Sequence, residues 1–411
     1  MQVVIVGNGI AGVTAARHVR KADPSASITM ISDETDAPFS RTALMYVYMG
    51  VLTQAQTRLY EERFWRENRI DRVVDRAVGL DVGRQRLVLR DGREVAYDRL
   101  LVATGSVPAL PDWPGATFPG VQGLYHLSDL DRMEDATRGI ERAVVVGGGL
   151  IGVELAEMLR TRGVGVTFLV REGRYLPRVF SEAESALVAE AVRQHGVDLR
   201  FGATVEAIEG TSTVEAARTA AGERIEAGFV GVGTGVRPNV EWLADAVETD
   251  GGVLVDAELR TSAEAVWAAG DCAQLRQPPM GVRAVEPIWY AGRLQGAVAG
   301  LGMAGRPRPY APGVFFNSAK FFDLEWQVYG LTASPGDDWE WTDGRRSLRI
   351  RHADGGVVGV SALGVRLRQE VCARWIAERW PVARAVADLP AARFDAEFSA
   401  ALSLTPTPAL S

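Results

Sequence analysis

The sequence predicts an α/β fold: two Rossmann-like dinucleotide-binding domains followed by a smaller α+β C-terminal domain. Three observations carry that reading. A Gly-x-Gly-x-x-Gly fingerprint occurs twice, as Gly7-Asn8-Gly9-Ile10-Ala11-Gly12 and as Gly147-Gly148-Gly149-Leu150-Ile151-Gly152. Each copy follows an apolar β-branched run, Val3 to Val6 and Ala143 to Val146, and each opens a helical pattern. That is the strand, tight turn and helix the fingerprint requires. Beyond Pro312 the pattern changes to aromatic-rich strands.

The glycines have separate tasks. The first permits the turn, the second lets backbone approach a pyrophosphate, and the third packs helix on strand. The helix start adds unpaired N–H groups and the positive dipole end, so phosphates can be held there without a basic side chain. One fingerprint can be no more than a tight turn. Two in full context imply two nucleotides on one polypeptide.

The elements follow in order. A helix from Ala11 to Ala22 is stopped by Pro24, and the next strand is Ile28 to Ile31. Asp33 and Glu34 come about 20 residues beyond the last glycine, where an acidic side chain would hydrogen-bond a ribose diol. Asp33 stands first and is preferred, although turn chemistry also favours Asp there. The stretch Arg58 to Arg76, with Phe64 and Trp65, reads as a surface helix and strand with solvated charges. A buried strand then leads into Ala103-Thr104-Gly105, and Pro108, Pro111, Pro114 and Pro119 mark a linker. The second unit starts at Arg142; its helix ends at Gly163, and the following strand is Val166 to Val170. Phe229 to Gly235 and Val266 to Asp271 are two more apolar strands ending on glycine. The last part holds strands within 313–329 and 348–363, an amphipathic helix over 366–378, and a flexible tail containing Thr405-Pro406-Thr407-Pro408.

Composition excludes several classes. Against 45 basic residues stand 52 acidic ones, so nothing favours a nucleic-acid binder. No apolar run reaches the roughly 18 residues of a spanning helix. The apolar N-terminus lacks a basic region and a cleavage site and reads as the first strand, which makes the expected location cytoplasmic. With 2 cysteines, Cys272 and Cys372, there is no disulfide framework and no Cys-x-x-Cys pair, and no metal is expected. Redox chemistry would have to be carried by bound cofactors.

Both fingerprints, Ala103-Thr104-Gly105, Gly235-Val236-Arg237-Pro238-Asn239 and Ala269-Gly270-Asp271, in that order, resemble the two-dinucleotide-binding flavoproteins of the pyridine nucleotide-disulfide oxidoreductase superfamily. The resemblance covers residues 1–310. Within it, Pro38-Phe39-Ser40-Arg41 and Phe322 to Gly330 look most like the branch of ferredoxin and rubredoxin reductases and the flavin portion of NADH-dependent nitrite reductase. The resemblance implies an FAD domain over 1–110 and 230–311, an NAD(P)H domain over 111–229, a C-terminal α+β domain over 312–400 and a tail over 401–411.

For FAD it implies Gly7, Gly9, Ile10, Ala11 and Gly12 at the pyrophosphate and Asp33 or Glu34 at the ribose. Arg41 and Thr42 would lie near the phosphates and flavin, with Ala103, Thr104, Gly105, Gly235 and Gly270 lining the approach. Asp271 would bond the ribityl and pyrophosphate region where a helix begins, and it equally suits a helix N-cap. Glu286 and Pro287 would neighbour the isoalloxazine. An arginine at position 41 could satisfy anionic oxygens bidentately.

For the nicotinamide nucleotide it implies Gly147, Gly149, Leu150, Ile151 and Gly152, with Glu154 in the helix's first turn beside nicotinamide and flavin N5. Pairing of Glu154 with the positive helix end is the competing reading. At the end of the following strand, Val170 precedes Arg171 and Glu172. Arg171 would favour a 2′-phosphate and Glu172 an unphosphorylated diol, so the co-substrate stays NAD(P)H.

Departures from the family pattern narrow the chemistry. Thr42 stands where peroxidases and coenzyme A-disulfide reductases of the superfamily carry a catalytic cysteine, which removes mixed-disulfide chemistry. Tyr46 replaces a lysine common in ferredoxin reductases. His352, in a turn-like context, is no acid–base partner. The expected reaction is therefore hydride transfer from NAD(P)H to FAD, then electron release to a small iron–sulfur protein such as a ferredoxin or rubredoxin. The alternatives are a small acceptor (quinone, dioxygen or monodehydroascorbate) or a slow-turnover, redox-responsive interaction flavoprotein related to apoptosis-inducing factor. Phe315, Phe316, Lys320 and Phe321 either shape the flavin's outer edge or belong to a strand core. The expected assembly is a monomer or homodimer.

Overall fold

The computed structural model describes residues 1–279, 281–395 and 397; the tail expected over 401–411 lies outside them. Two compact units are present. The first comprises Met1–Ala109, Tyr125–Asp131 and Val236–Pro312, and the second comprises Leu110–Leu124, Arg132–Gly235 and the chain from Gly313 onward.

The first unit is built on a parallel five-stranded sheet in the order Val266–Ala268, Arg99–Val102, Gln2–Val6, Ser27–Ser32, Ile70–Val74. Its central strand explains the order: Val3 to Val6 are at most 5% exposed, so the run must be covered on both faces. Each such side chain contributes about 1.5–3 kcal/mol by burial. The helix Ile10–Ala22 covers one face and packs against the helix Trp289–Met303. That contact is unusually close, since a Cβ on Gly296 would stand 2.2 Å from the Ala11 carbonyl oxygen and one on Gly300 2.5 Å from that of Ala15. A three-stranded antiparallel sheet, Ala77–Asp81, Arg86–Leu89 and Glu94–Ala96, is inserted before the strand Arg99–Val102.

The second unit repeats this plan. Its parallel sheet has the order Val197–Phe201, Gly165–Val170, Arg142–Val146, Phe229–Val232, Val121–Gln122. Another three-stranded antiparallel sheet, Val205–Gly210, Val214–Thr219 and Arg224–Glu226, precedes Phe229–Val232. The boundary expected at residue 230 falls inside that strand, which pairs with Arg142–Val146 and so stays in the second unit; the chain crosses to the first unit at Val236.

The segment from Gly313 belongs to the second unit. It forms a five-stranded antiparallel sheet, Phe316–Phe321, Leu324–Gly330, Gly356–Leu363, Ser347–Ala353, Asp337–Thr342, backed by the helix Gln369–Ala377. The strand Asp337–Thr342 has no counterpart in the sequence reading because acidic residues dominate it; of its side chains Trp341 alone is buried. The stretch 58–76 also differs from a solvated surface. Its helix Glu62–Glu67 inserts Trp65, 2% exposed, into the core beside Phe64, and Arg72 lies over the Trp65 ring while pairing with Glu62.

The C-terminal sheet is tied to the rest of its unit by a buried ion pair. Arg349, 2% exposed, donates to the fully buried Glu184 at 2.9 Å, to the Val179 carbonyl at 2.6 Å and to the Thr332 carbonyl at 3.1 Å. Glu184 also closes the capping box of the helix Glu182–Gln194 by accepting from the Ser181 N–H at 2.8 Å. Arg349→Ala would leave an uncompensated buried carboxylate, at a cost of about 3–5 kcal/mol. Urea unfolding should show the loss in the transition of the second unit, whereas a surface change such as Arg138→Ala should leave that transition in place.

Candidate functional site

At the first fingerprint the strand Gln2–Val6 ends in Gly7, whose φ of +108° suits glycine. A Cβ there would stand 2.0 Å from the Ala103 carbonyl oxygen, and one on Gly12 2.0 Å from the Gly7 carbonyl oxygen. Gly9 is different. It is the N-cap of the helix Ile10–Ala22, no side chain caps that helix, and a Cβ added to it meets nothing within 4 Å. Ile10 and Ala11 open the helix, so their N–H groups belong to the unpaired first turn.

In the same unit, a hydrogen-bonded series links residues from distant parts of the chain. Glu34 accepts from Arg41 at 2.7 Å and from the Leu127 N–H at 2.6 Å. Arg41 also donates to the Tyr125 carbonyl at 2.8 Å, and its guanidinium lies 4.5 Å from the centre of the Tyr125 ring. The Tyr125 hydroxyl accepts from the Ser106 N–H at 3.0 Å, and the Ser106 hydroxyl donates to Asp271 at 2.7 Å. Burial opposes ionisation of Glu34, but the His126 hydrogen bond and the Arg41 charge outweigh it and hold the carboxyl at about 2. For Asp271 burial dominates and pushes the pKa up against Ser106 and Arg41.

Several expectations change here. Asp33 pairs with the exposed Arg76 at 2.8 Å, and in the bend that follows the strand Ser27–Ser32 it is Glu34 that joins the network, through Arg41 and the Leu127 N–H. Asp271 does not cap a helix: the chain turns and enters the strand Ala273–Leu275, and among the described residues the next helix begins at Trp289. Thr42 is exposed and shares a 3.0 Å hydrogen bond with Ser40. Thr104 donates to the Asn239 carbonyl at 2.7 Å, Gly105 lies against the Tyr125 hydroxyl, and the Gly270 N–H donates to Gln295 at 2.7 Å. Glu286 is buried and accepts from the Tyr310 hydroxyl at 3.3 Å, while Pro287 is exposed. Ser106, Tyr125, His126 and Leu127 are additions that sequence reasoning missed, since the return of 125–131 to the first unit leaves no local signal.

The second fingerprint has the same frame. Gly147 has φ +113°, its added Cβ would stand 2.4 Å from the Gly233 carbonyl oxygen, and one on Gly152 2.0 Å from the Gly147 carbonyl oxygen. Gly149 caps the helix Leu150–Thr161 without a side-chain hydrogen bond, and its added Cβ finds only the Gly233 oxygen, at 3.8 Å. Leu150 and Ile151 open the helix. Gly235, φ +110°, ends the segment after Phe229–Val232. Arg171, 79% exposed, pairs with Glu172 at 2.9 Å beyond Val170.

Glu154 falls in the second turn of its helix, one step later than expected, which weakens the pairing with the helix end. It faces Glu157, which is ion-paired with Lys320. The Tyr175 hydroxyl, also close to Glu154, donates to the Gly149 carbonyl at 3.0 Å. Phe321 lies in a ring cluster with Tyr175, Phe180 and Trp326, and Phe316 stacks on Tyr329 at 5.2 Å.

The residues present fit a dinucleotide at each turn, because each helix start is uncapped and each N-cap glycine fronts space that a side chain would fill. Thiol chemistry has no support. Both cysteines are buried and unpaired, and burial raises the Cys272 thiol to about 11 and the Cys372 thiol further. Among the described residues no group of three or more His, Cys, Asp or Glu is placed to hold a metal, and no helix is long and apolar enough to cross a membrane.

Comparison with known proteins agrees with this geometry. The family model of pyridine nucleotide-disulphide oxidoreductases matches residues 1–295. The epsilon subunit of NADH-dependent phenylglyoxylate dehydrogenase from Aromatoleum evansii is 31% identical, over 87% of each chain. Rhodocoxin reductase from Rhodococcus erythropolis is 31% identical, over 81% of this chain and 79% of its own. Among solved structures, a ferredoxin reductase from Rhodopseudomonas palustris matches with a TM-score of 0.83 at 26% identity, over 88% of this chain and 91% of its own. The chain belongs to the pyridine nucleotide-disulphide oxidoreductase family.

Proposed function

We propose that this protein is an FAD-dependent NAD(P)H oxidoreductase whose electrons pass to a small iron–sulfur protein. The observation that carries the reading is the duplicated frame: two uncapped helix starts, each behind a glycine that clears backbone for a pyrophosphate. In this reading Gly7, Gly9 and Gly12 hold the FAD pyrophosphate, Glu34 takes the ribose, and Arg41 and Asp271 orient the phosphate and ribityl region. Gly147, Gly149 and Gly152 hold the nicotinamide nucleotide, with Arg171 and Glu172 at its ribose.

When bound, FAD supplies two-electron acceptance from a nicotinamide and release of electrons singly. The chain's residues bind and orient; no side chain is needed as a covalent nucleophile. Thr42 has no thiol, and the buried Cys272 hydrogen-bonds backbone carbonyls of Val102 and Ala269. The iron–sulfur acceptor is supported by the reductases of rhodocoxin and ferredoxin among the relatives. A second reading is favoured by the phenylglyoxylate dehydrogenase epsilon subunit, matched over 87% of both chains: a nucleotide-handling subunit of a larger oxidoreductase. The cytoplasm is the compartment that suits this chemistry, since it holds reduced nicotinamide nucleotides and keeps unpaired thiols reduced.

Anaerobic stopped-flow reduction by NADH and by NADPH, followed by mixing with a ferredoxin, a rubredoxin and a quinone, tests the reading. Rapid flavin bleaching followed by fast reoxidation by an iron–sulfur protein is expected; fast reoxidation by the quinone alone would move the acceptor to the small-molecule class. Indifference to every acceptor would sink the electron-transfer reading.

Variants at two positions test the sites. Gly9→Ala should fold, because the added Cβ meets no protein atom within 4 Å, yet retain less flavin, and Gly9→Val should purify colourless; a fully yellow preparation of both would remove the first fingerprint from FAD binding. Arg171→Ala should raise KM for NADPH by about 10-fold or more, the worth of a charged hydrogen bond, and leave NADH nearly unchanged if it reads a 2′-phosphate. Equal effects on both nucleotides would remove that role from Arg171.

A further inference from the structure

Two hydrogen-bonded series meet at one turn of the first unit. The first, described above, ends where the Ser106 hydroxyl donates to the Asp271 carboxylate at 2.7 Å. The second reaches the residue just before it. The Gly270 N–H donates to Oε1 of Gln295 at 2.7 Å, the Tyr310 hydroxyl accepts from the Gln295 side chain, and the same hydroxyl donates to Oε2 of Glu286 at 3.3 Å. Gln295, Tyr310 and Glu286 are 1%, 4% and 5% exposed, so these bonds are made among buried groups.

The order of donors leaves one arrangement. A peptide N–H only donates, which turns the amide oxygen of Gln295 toward Gly270 and its NH2 toward Tyr310. Tyr310 accepts from Gln295 and donates onward, and the series ends on a carboxyl group, where each link strengthens the one before it. A leucine in place of Gln295 would offer neither donor nor acceptor, and a glutamate only acceptors.

Packing confines the turn. Gly270 has φ +82°, and a Cβ on it would stand 3.1 Å from the Ala11 Cβ. One on Gly292 would stand 3.3 Å from Ile10 Cγ2 and 3.8 Å from Gly270 Cα. Gly292 and Gln295 lie three residues apart, on one face of the helix Trp289–Met303. That face presses the turn against the residues that open the helix of the first fingerprint, and Gln295 supplies its hydrogen bond.

We propose that Gln295 is a positioning residue for FAD: by holding the Gly270 N–H, with Tyr310 and Glu286 fixing its own orientation, it sets the Asp271 carboxylate in place for the ribityl part of the cofactor. The inference rests on the reading of Asp271 and of the first fingerprint given above. Ser106 constrains the Asp271 side chain and Gln295 its backbone, so the acceptor is fixed before the cofactor arrives and little entropy is lost on binding. Gln295 acts through the turn and not by contact.

The experiment is a titration of the flavin-stripped full chain with FAD and with ADP, which reaches the fingerprint and Glu34 but has no ribityl chain. Gln295→Leu should weaken FAD by about 10-fold, the order of one lost buried hydrogen bond, and leave ADP within about 2-fold of native. Gln295→Glu, which keeps an acceptor for the Gly270 N–H, should return FAD affinity nearly to the native value. Tyr310→Phe, which frees the amide to turn, should fall between. Native FAD affinity in Gln295→Leu, an equal loss for both ligands, or failure of Gln295→Glu to improve on it would overturn the proposal. Should the leucine variant not fold, Tyr310→Phe decides: a loss confined to FAD upholds the proposal, and unchanged or equally weakened binding overturns it. A native chain that fails to bind FAD, or binds FAD but not ADP, would instead overturn the reading of the first fingerprint, and the inference with it.

Discussion

Everything in both nucleotide units follows from one steric constraint: the turn after the first strand passes directly against the end of the neighbouring strand. A methyl group at Gly7 would collide with the Ala103 carbonyl, one at Gly147 with that of Gly233, and one at Gly12 or Gly152 with the turn itself. The chain can therefore start its helix immediately beyond the sheet edge, with the first N–H groups facing outward and no side chain to cap them. Capping the helices with Ser or Asp would stabilise each by about 1 kcal/mol and would occupy the place of the anion. The glycine at each N-cap leaves that stabilisation to a phosphate. Fold and binding site are the same feature viewed from two sides.

This is why the parallel sheets were legible in the sequence. A fully buried parallel strand needs a continuous apolar run, and Val3 to Val6 and Ala143 to Val146 have no other use; the glycines that follow mark where the helix must begin. The antiparallel pieces were harder to read. The strand Asp337–Thr342 is exposed on most of its length, so its residues are chosen for solvent and carry little periodic signal, and Glu94–Ala96 is too short to show a period. The Trp65 helix misled in the opposite direction, since its charges advertise a surface and a single side chain does the anchoring.

At the site, what the sequence announced was backbone, and what it concealed was side-chain partnership. The glycines and the strand ends Ala103 to Gly105 stand where local pattern put them. The choice between Asp33 and Glu34 depended on which residue of a bend meets its partners, and besides Arg41 those partners, His126 and the Leu127 N–H, are remote in the chain. The same holds for Lys320 and Glu157, whose pairing requires the C-terminal sheet to reach the helix of the second fingerprint. No spacing rule connects two positions that far apart. The family resemblance also implied a helix start at Asp271, whereas strand pairing of Ala273–Leu275 with Gly252–Val255 prevailed.

The two frames are alike in backbone and unlike in what surrounds them, and that difference suits two kinds of nucleotide. Around the first, Glu34, Arg41, Tyr125, Ser106 and Asp271 are joined by successive hydrogen bonds drawn from separate stretches of the chain, and the Glu34 carboxyl stays ionised despite its burial. A network fixed by the fold loses little entropy when a ligand settles on it, which favours long retention of a resident cofactor. Around the second, the polar side chains beyond Val170 are an exposed Arg171 paired with a half-buried Glu172, an ion pair open to solvent. On the proposed reading, a rim of that kind would hold its nucleotide loosely and let it go after each turnover, as a co-substrate requires. The repeat thus provides one way of binding a pyrophosphate twice, and the side chains added around each copy determine how long the nucleotide remains.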